Sequence, residues 1–368
     1  MYYQLKLTNY LLSGETGTTV KRTIYDSRID DLSVYDATAT VEVNAAGQIR
    51  FTIAKNHPYY DDIKIGRSWI DFVADGNWYI IGGQVSTITT DLFGNKVVTV
   101  YGAPIVLHDV YLPDIEFEGG SVIHLFEDVN SHLAIQTCYN FVLNLQTEIM
   151  QPFNMLYGTA WDMLTKIRDS YAESGISWNF YTQFAQIPNS PMDCGYIGMF
   201  TTQALGQMTH NIKAGTNLIE YIEEVNESDI YSGINPLGAE TGVDFHGKSR
   251  RMQIVNPPDV GIVWDNTLVT KYGRKVVQRI YDDITTAPAL TSRATSELTA
   301  LHTMKKKITV KAVDIDRTYS FGSGFKLMYS VLMESSPTIP QAELFYIKRI
   351  DYDLNNPAND VIQLTNYM

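Results

Sequence analysis

The sequence has 368 residues, enough for several domains and more than a single core usually serves. A hydrophobic fraction of 45% with 19% charged residues is that of an ordinary folded protein and excludes a low-complexity disordered chain. The net charge of −13 opposes stable binding to a phosphate backbone.

Aromatic content is 12%, with 24 Tyr, and this favours strands over helices. Cys138 and Cys194 lie far apart and belong to no CxxC pair. The plain expectation is two buried thiols in a reducing cytoplasm, with a single bridge as the alternative. Met1–Leu7 lacks the basic and apolar regions of a secretory signal, and no apolar run approaches the roughly 20 residues that span a bilayer. No membrane insertion is expected.

The first hundred residues alternate as strands do. Val41 and Val43 alternate with polar neighbours, Asn44–Gly47 supplies a turn, and Ile49, Phe51 and Ile53 follow at period two. Asp75-Gly76 separates Ile70–Val73 from Trp78–Ile81, and Asp91–Asn95 precedes Val97–Val100. Strands at this spacing make a small barrel or sandwich. From about Pro104 the texture becomes mixed α/β. Ser121 to about Asn130 has Ile123, Phe126 and Val129 on one helical face. Thr159, with Asp162 three residues on, caps a helix carrying Trp161, Leu164, Ile167, Arg168 and Tyr171, with Gly175 just past its end. Phe141–Glu148 and Gly175–Tyr181 look extended. The segment between Gly215 and Asn226 fits helix or strand. Thr291 to Met304 predicts a further helix, whose end the run Lys305-Lys306-Lys307 complements through the helix dipole.

The C-terminal stretch repeats the first in outline. Gly66…Ile70, Trp78–Ile81, Asp91–Asn95 and Val97–Val100 form one series. Gly324–Leu327, Leu344–Ile347, Asp353–Asn356 and Val361–Leu364 form another. Two related β-domains with other material between them are expected.

No chemical constellation emerges. None of the seven His sits at a metal-ligand spacing such as HExxH. Asp314/Asp316 and Asp351/Asp353 put carboxylates on one strand face without a calcium loop. Glu223-Glu224 and Asp282-Asp283 are adjacent pairs of the kind common on surfaces, not a glycosidase dyad. Gly322-Ser323-Gly324 lacks the rest of a dinucleotide fingerprint, and neither a P-loop nor GxSxG occurs. No catalytic, cofactor-binding or metal residues are therefore assigned, and no cofactor is expected.

After residue 210, Asn217-Leu218-Ile219 and the stretch Asp229–Gly238 (DIYSGINPLG) resemble the hub signature of siphophage tail-associated, baseplate-hub proteins, the structural N-terminal region of prophage endopeptidase-tail-like chains. Leu237 stands where that family usually has an aromatic residue. Lys271-Tyr272-Gly273, Asp282–Thr285 and the helix after it resemble the next block. Asp353–Pro357 and Val361–Leu364 resemble the closing strands, with Thr365 where Gly is usual. Phe51–Ile53 and His57-Pro58 fit the opening hairpin, so the likeness runs in order over nearly the whole chain.

The resemblance implies an α+β, mainly β fold like the hub of contractile phage baseplates. It has two related β-barrel domains (1–103; 206–245 with 306–368), an α/β domain (104–205) and a small insertion domain (246–305) with one helix. Three copies would form a pseudo-hexameric ring at the virion tail tip, assembled in the host cytoplasm. The implied partners are the homotrimer itself, the distal tail protein ring, the tape measure protein, and receptor-binding or lytic tail proteins, with DNA only in transit. Because the sequence ends at Met368, the peptidase or lytic extension of some relatives is not expected, and the chain is expected not to be an enzyme. Two other readings are a cell-wall hydrolase with its site in 104–205 and a carbohydrate-binding receptor protein.

Overall fold

The computed structural model describes residues 2–9, 20–76, 78–136, 141–144, 149–150, 153–173, 177–185, 195–208, 211–225, 230–243, 249–255, 261–282, 284–300, 306–313, 325–334 and 342–367. Cys138, Cys194, Gly175, Asp229, Asp283, Met304, Lys305, Asp314, Asp316 and Gly322–Gly324 lie outside the described residues. The chain divides into two compact units, Met1–Ile222 with Ile308–Met368, and Glu223–Lys307.

The first unit is mainly β. In chain order its larger strands begin with β1 (Tyr3–Asn9), β2 (Lys21–Asp26), β3 (Tyr35–Glu42) and β4 (Gln48–Ile53). They continue with β5 (Ser68–Ala74), β6 (Trp78–Thr90) and β7 (Lys96–Gly102). Helices α1 (Ile123–Gln136) and α2 (Ala160–Glu173) follow, then β8 (Asn179–Ala185) and β9 (Gly195–Thr201). The short β10 (Gly206–Gln207) and β11 (Leu218–Val225) lead out of this unit. In the second unit come β12 (Gly233–Leu237), β13 (Val263–Trp264), α3 (Asn266–Tyr272), β14 (Val276–Ile280) and α4 (Ala287–Ala300). The chain returns with β15 (Lys306–Ala312), β16 (Tyr329–Met333), β17 (Glu343–Asp353) and β18 (Val361–Thr365).

One 13-stranded sheet takes strands from both ends of the chain, in the order β11-β15-β18-β17-β3-β4-β7-β6-β5-β1-β2, with β16 on β17 and β10 on β16. It curls into half a barrel. The curl faces one apolar core, in which Leu5, Ile49, Phe51, Phe72 and Val98 from the first series meet Ile308, Val310, Phe345, Ile350 and Leu364 from the second. Each contributes alternate residues of its strand, which is why the period-two pattern was readable.

The two series share their architecture strand by strand. β3-β4-β7-β6-β5-β1 and β11-β15-β18-β17-β16-β10 are neighbours in the same order, and the strands follow one another along the chain in the same order too. Both long strands carry a bulge at the matching place. Ser86 is the extra residue of β6 opposite Val100 and Thr99, and Lys348 is the extra residue of β17 opposite Leu364 and Gln363. Asp91 and Asp353 open the loops that follow, each with a carboxylate oxygen that accepts two backbone N–H bonds. The match corrects the alignment read from sequence: Leu344–Ile347 corresponds to Gly82–Val85, four residues beyond Trp78–Ile81. The strand near Leu327 starts later, at Tyr329. The copies differ at one edge. β1 pairs antiparallel with β5 over seven residues, whereas β10 is a two-residue parallel contact with β16.

Residues 103–200, with Trp69, build a second core within the first unit. Phe126, Val129 and Leu133 of α1 and Met163, Leu164 and Ile167 of α2 pack with Trp178, Phe180 and Phe200. Trp178 stacks on Phe200 with centroids 4.2 Å apart. The predicted cap of α2 is present and reciprocal: Asp162 Oδ2 accepts from the Thr159 backbone N–H at 2.9 Å, and Thr159 Oγ1 accepts from that of Asp162 at 3.2 Å. Ile123, predicted on the apolar face of α1, is only half-buried, and Val122 and Leu125 take its place in the core.

The second unit is built around β12, which pairs antiparallel with β13 and parallel with β14. Ile234, Leu268, Ala294 and Leu298 form its core. Helix α3 was not anticipated. It is short, and Asp265 starts it by accepting from the backbone N–H groups of Thr267 and Leu268. Among its described residues unit two holds two helices, where the sequence pattern suggested one. α4 begins at Ala287, four residues before the expected Thr291. Lys306 and Lys307 open β15 instead of closing a helix, because Ile308, Val310 and Ala312 alternate into the sheet core. The ambiguous segment after Gly215 is the strand β11.

Candidate functional site: assembly surfaces of the large sheet

Among the described residues, the groups considered for chemistry are dispersed or committed to structure. Asp351 is held by Arg349, whose guanidinium donates to it at 2.8 Å, and accepts from Thr40 at 2.6 Å. Asp353 organises its loop. Asp282 pairs with Arg251, and Glu224 is exposed on β11. His108 stacks on Trp161, while on α1 His124 is exposed and His132 is half-buried. No group of three or more His, Cys, Asp or Glu able to hold a metal occurs among the described residues. Two crevices, one beside Trp161, Arg168 and Phe180 and one beside Glu42, Ile81 and Leu327, each offer about 20 Å³ of solvent space, close to one water molecule.

Buried polar groups are used as fasteners. Asp71 accepts from Trp69 Nε1 at 2.8 Å and Tyr196 Oη at 3.1 Å and pairs with Lys21 at 2.7 Å, fixing β5 to β9 and β2. In unit two, Glu297 on α4 accepts from Tyr231, from Arg279 at 2.9 Å and from Tyr281 at 2.6 Å. A clasp joins the seam between the two β-series to β8. Asn44, in the β3–β4 turn at φ 62°, donates its backbone N–H to the Phe180 carbonyl at 2.7 Å and accepts from Phe180 N–H at 2.7 Å. The bulge residue Lys348 donates to Asn179 Oδ1 at 3.1 Å. Burial pulls the Lys348 ammonium down to about 8.

The surface features that remain are edges and tips. The β6–β7 loop presents Leu92 and Phe93, 95% and 81% exposed, on a turn that Asp91 rigidifies with bonds to Phe93, Asn95 backbone and Asn95 side chain. Leu156 and Tyr157 form a second exposed tip, held by Asp114, which accepts from the Tyr157 N–H at 3.0 Å. Neither tip had a sequence signal beyond apolar residues beside turn formers.

The sheet edges follow the duplication. On one side of β17 lies β18. On the other, residues 343–346 pair with β16, and residues 349–353 pair with β3. β3 of the first series is thereby docked on the second. The equivalent strand β6 has β7 on one side and β5 on the other, but the β5 ladder ends at Gln84. Among the described residues no strand of the sheet pairs with the outer side of residues 86–90, and Ser86, Thr87, Thr89 and Thr90 are exposed. The equivalent of β3 is β11, which ends the sheet with Ile219 and Ile222 more than half exposed.

Neither a protein-family model nor a curated protein matches the sequence. Solved structures do match, over nearly the full length of both partners. The 43 kDa tail protein of prophage MuSo2 from Shewanella oneidensis aligns with a TM-score of 0.59 at 12% identity, covering 98% of this chain and 97% of that one. The chain has the fold of prophage tail proteins. Prophage tail protein gp18 from Listeria monocytogenes aligns with a TM-score of 0.55 at 13% identity, covering 99% and 94%. A tail protein from Neisseria meningitidis gives 0.53 at 12% identity, covering 99% and 95%. The α+β, mainly β fold that the sequence motifs implied is the fold observed. Identity this low speaks for fold alone.

Proposed function

We propose that this protein is a structural, non-enzymatic component of a phage or prophage tail, placed at the tail tip as a hub. Three copies would supply six related β-series and form a ring that continues a sixfold tail tube, docks on a distal tail ring and closes or gates the channel. The observation that carries the reading is the duplicated strand order with matching bulges at Ser86 and Lys348. A threefold assembly needs such a duplication to meet a sixfold one. Full-length likeness to prophage tail proteins supports the setting. The net charge of −13 suits a wall past which DNA must slide. The exposed tips at Leu92-Phe93 and Leu156-Tyr157 are the proposed docking points for neighbouring tail proteins.

Immunogold labelling of tails from a strain that carries the gene tests this placement. Label is expected at the tip opposite the head, with tails lacking the protein failing to assemble or eject. Label along the shaft, or on fibres alone, contradicts the hub position. A zymogram on host cell walls is expected to stay uncleared, and clearing would favour the hydrolase.

A further inference from the structure

We infer that the outer edge of β6 at Ser86–Thr90 is a socket for strand β11 of a second copy of this chain. The inference rests on the ring reading and adds the contact that builds it. The template is inside the molecule. β17 residues Arg349–Asp353 pair antiparallel with β3 residues Glu42–Thr38, through five residue pairs. Aligned on the bulges, Arg349–Asp353 correspond to Thr87–Asp91, and β3 corresponds to β11. Among the described residues there is therefore one filled socket, at β17, and one open socket, at β6. Among them are also one docked strand, β3, and one undocked strand, β11.

The open parts suit each other. Exposed backbone on a sheet edge is a template for another strand. The β6 edge carries small hydroxyl residues and Ile88, so no bulky charge blocks approach. Ile219 and Ile222 are exposed on β11, and Leu218 and Tyr221 are partly buried against the core, so pairing along this strand would cover exposed apolar surface. Socket and strand lie at different places in the sheet, so the contact is head-to-tail. Head-to-tail contacts close into rings or extend into filaments and do not make twofold dimers. A five-residue ladder is small beside the roughly 1,600 Å² of a standard interface, so association is concentration-dependent until the ring closes.

The test uses two full-length variants, Thr89→Cys and Ile219→Cys, each at an exposed position. They are mixed, treated with a short bismaleimide, and compared with each variant alone and with the unsubstituted chain, whose Cys138 and Cys194 set the baseline. Light scattering on the same samples, up to roughly 100 µM, gives the mass. The inference predicts covalent dimer several-fold above baseline in the mixture and at baseline in each single sample. Linkage within the Thr89→Cys sample alone would mean a twofold contact and overturn it. Oligomers without mixed linkage would overturn the β6–β11 pairing while leaving the ring reading standing. A chain that is monomeric and unlinked throughout would overturn both.

Discussion

Replacing Lys348 by Met should stabilise the first unit at neutral pH and remove a pH dependence that is expected of the unsubstituted protein above pH 8. The Lys348 side chain is half-buried at the seam between the two β-series. Its ammonium donates to Asn179, and no ion pair with a carboxylate is present among the described residues. Burial is the cause of its low value of about 8, against 10.5 for a free lysine. Between these two values the unfolded chain binds a proton that the folded chain has released, so stability rises with pH over that window. A displacement of this size corresponds to about 3 kcal/mol, and screening by the exposed part of the side chain lowers it to about 2 kcal/mol. Removing the charge recovers that cost below pH 8, less about 1 kcal/mol for the lost bond to Asn179. Lys348→Met is therefore expected to gain about 1 kcal/mol at pH 7. Tyr181, pushed up to about 12 by burial, acts in the opposite sense above pH 10, because only the unfolded chain then loses the phenolic proton. Urea titrations at pH 7, 8, 9 and 10, followed by tryptophan fluorescence, measure both quantities. Four of the five Trp lie in the first unit, so the signal reports it. An unchanged slope between pH 8 and 10 in the variant, or a loss of more than about 2 kcal/mol at pH 7, would refute the argument.

Three further outcomes are expected. Asp26 is held at about 2, chiefly by the Arg28 guanidinium and with help from Gln4, so its contribution is present above the free value of 3.8 and lost as pH falls toward 2. Asp26→Asn should thus cost about 1–2 kcal/mol at pH 6 in urea titrations, and the difference should vanish near pH 2. Gly83→Ala would place a methyl 1.7 Å from the Tyr101 carbonyl oxygen of the neighbouring strand β7. A loss of at least about 3 kcal/mol, or failure to fold, is expected in thermal unfolding. Leu92→Ser with Phe93→Ser should change stability by under about 0.5 kcal/mol, since both side chains are in solvent. The same variant should be poorly incorporated into tails, which complementation of a deletion strain measures.

Local patterns made much of this fold legible. Ile49, Phe51 and Ile53 declared β4 by alternation, and Thr159 with Asp162 declared the start of α2, because both signals are contained within a few residues. Pairing between distant segments was not legible. Nothing in Thr38–Glu42 indicates that its partner lies at 349–353, since main-chain ladders carry no sequence code. The four-residue slip in the repeat has the same origin. Ser86 and Lys348 are unlike in chemistry and equivalent only as bulges, so an alignment by apolar residues passes over them. Helix α3 escaped because one core residue, Leu268, is too little for a periodic pattern in seven residues. The assembly edges were legible least, because an open edge is defined by which strand is missing beside it.

The claim on which the account depends is that two β-series per chain serve a threefold ring, and the solution mass tests it most directly. Light scattering across concentrations up to tens of micromolar is expected to give a trimer or a monomer–trimer equilibrium. A stable dimer or tetramer would contradict the ring.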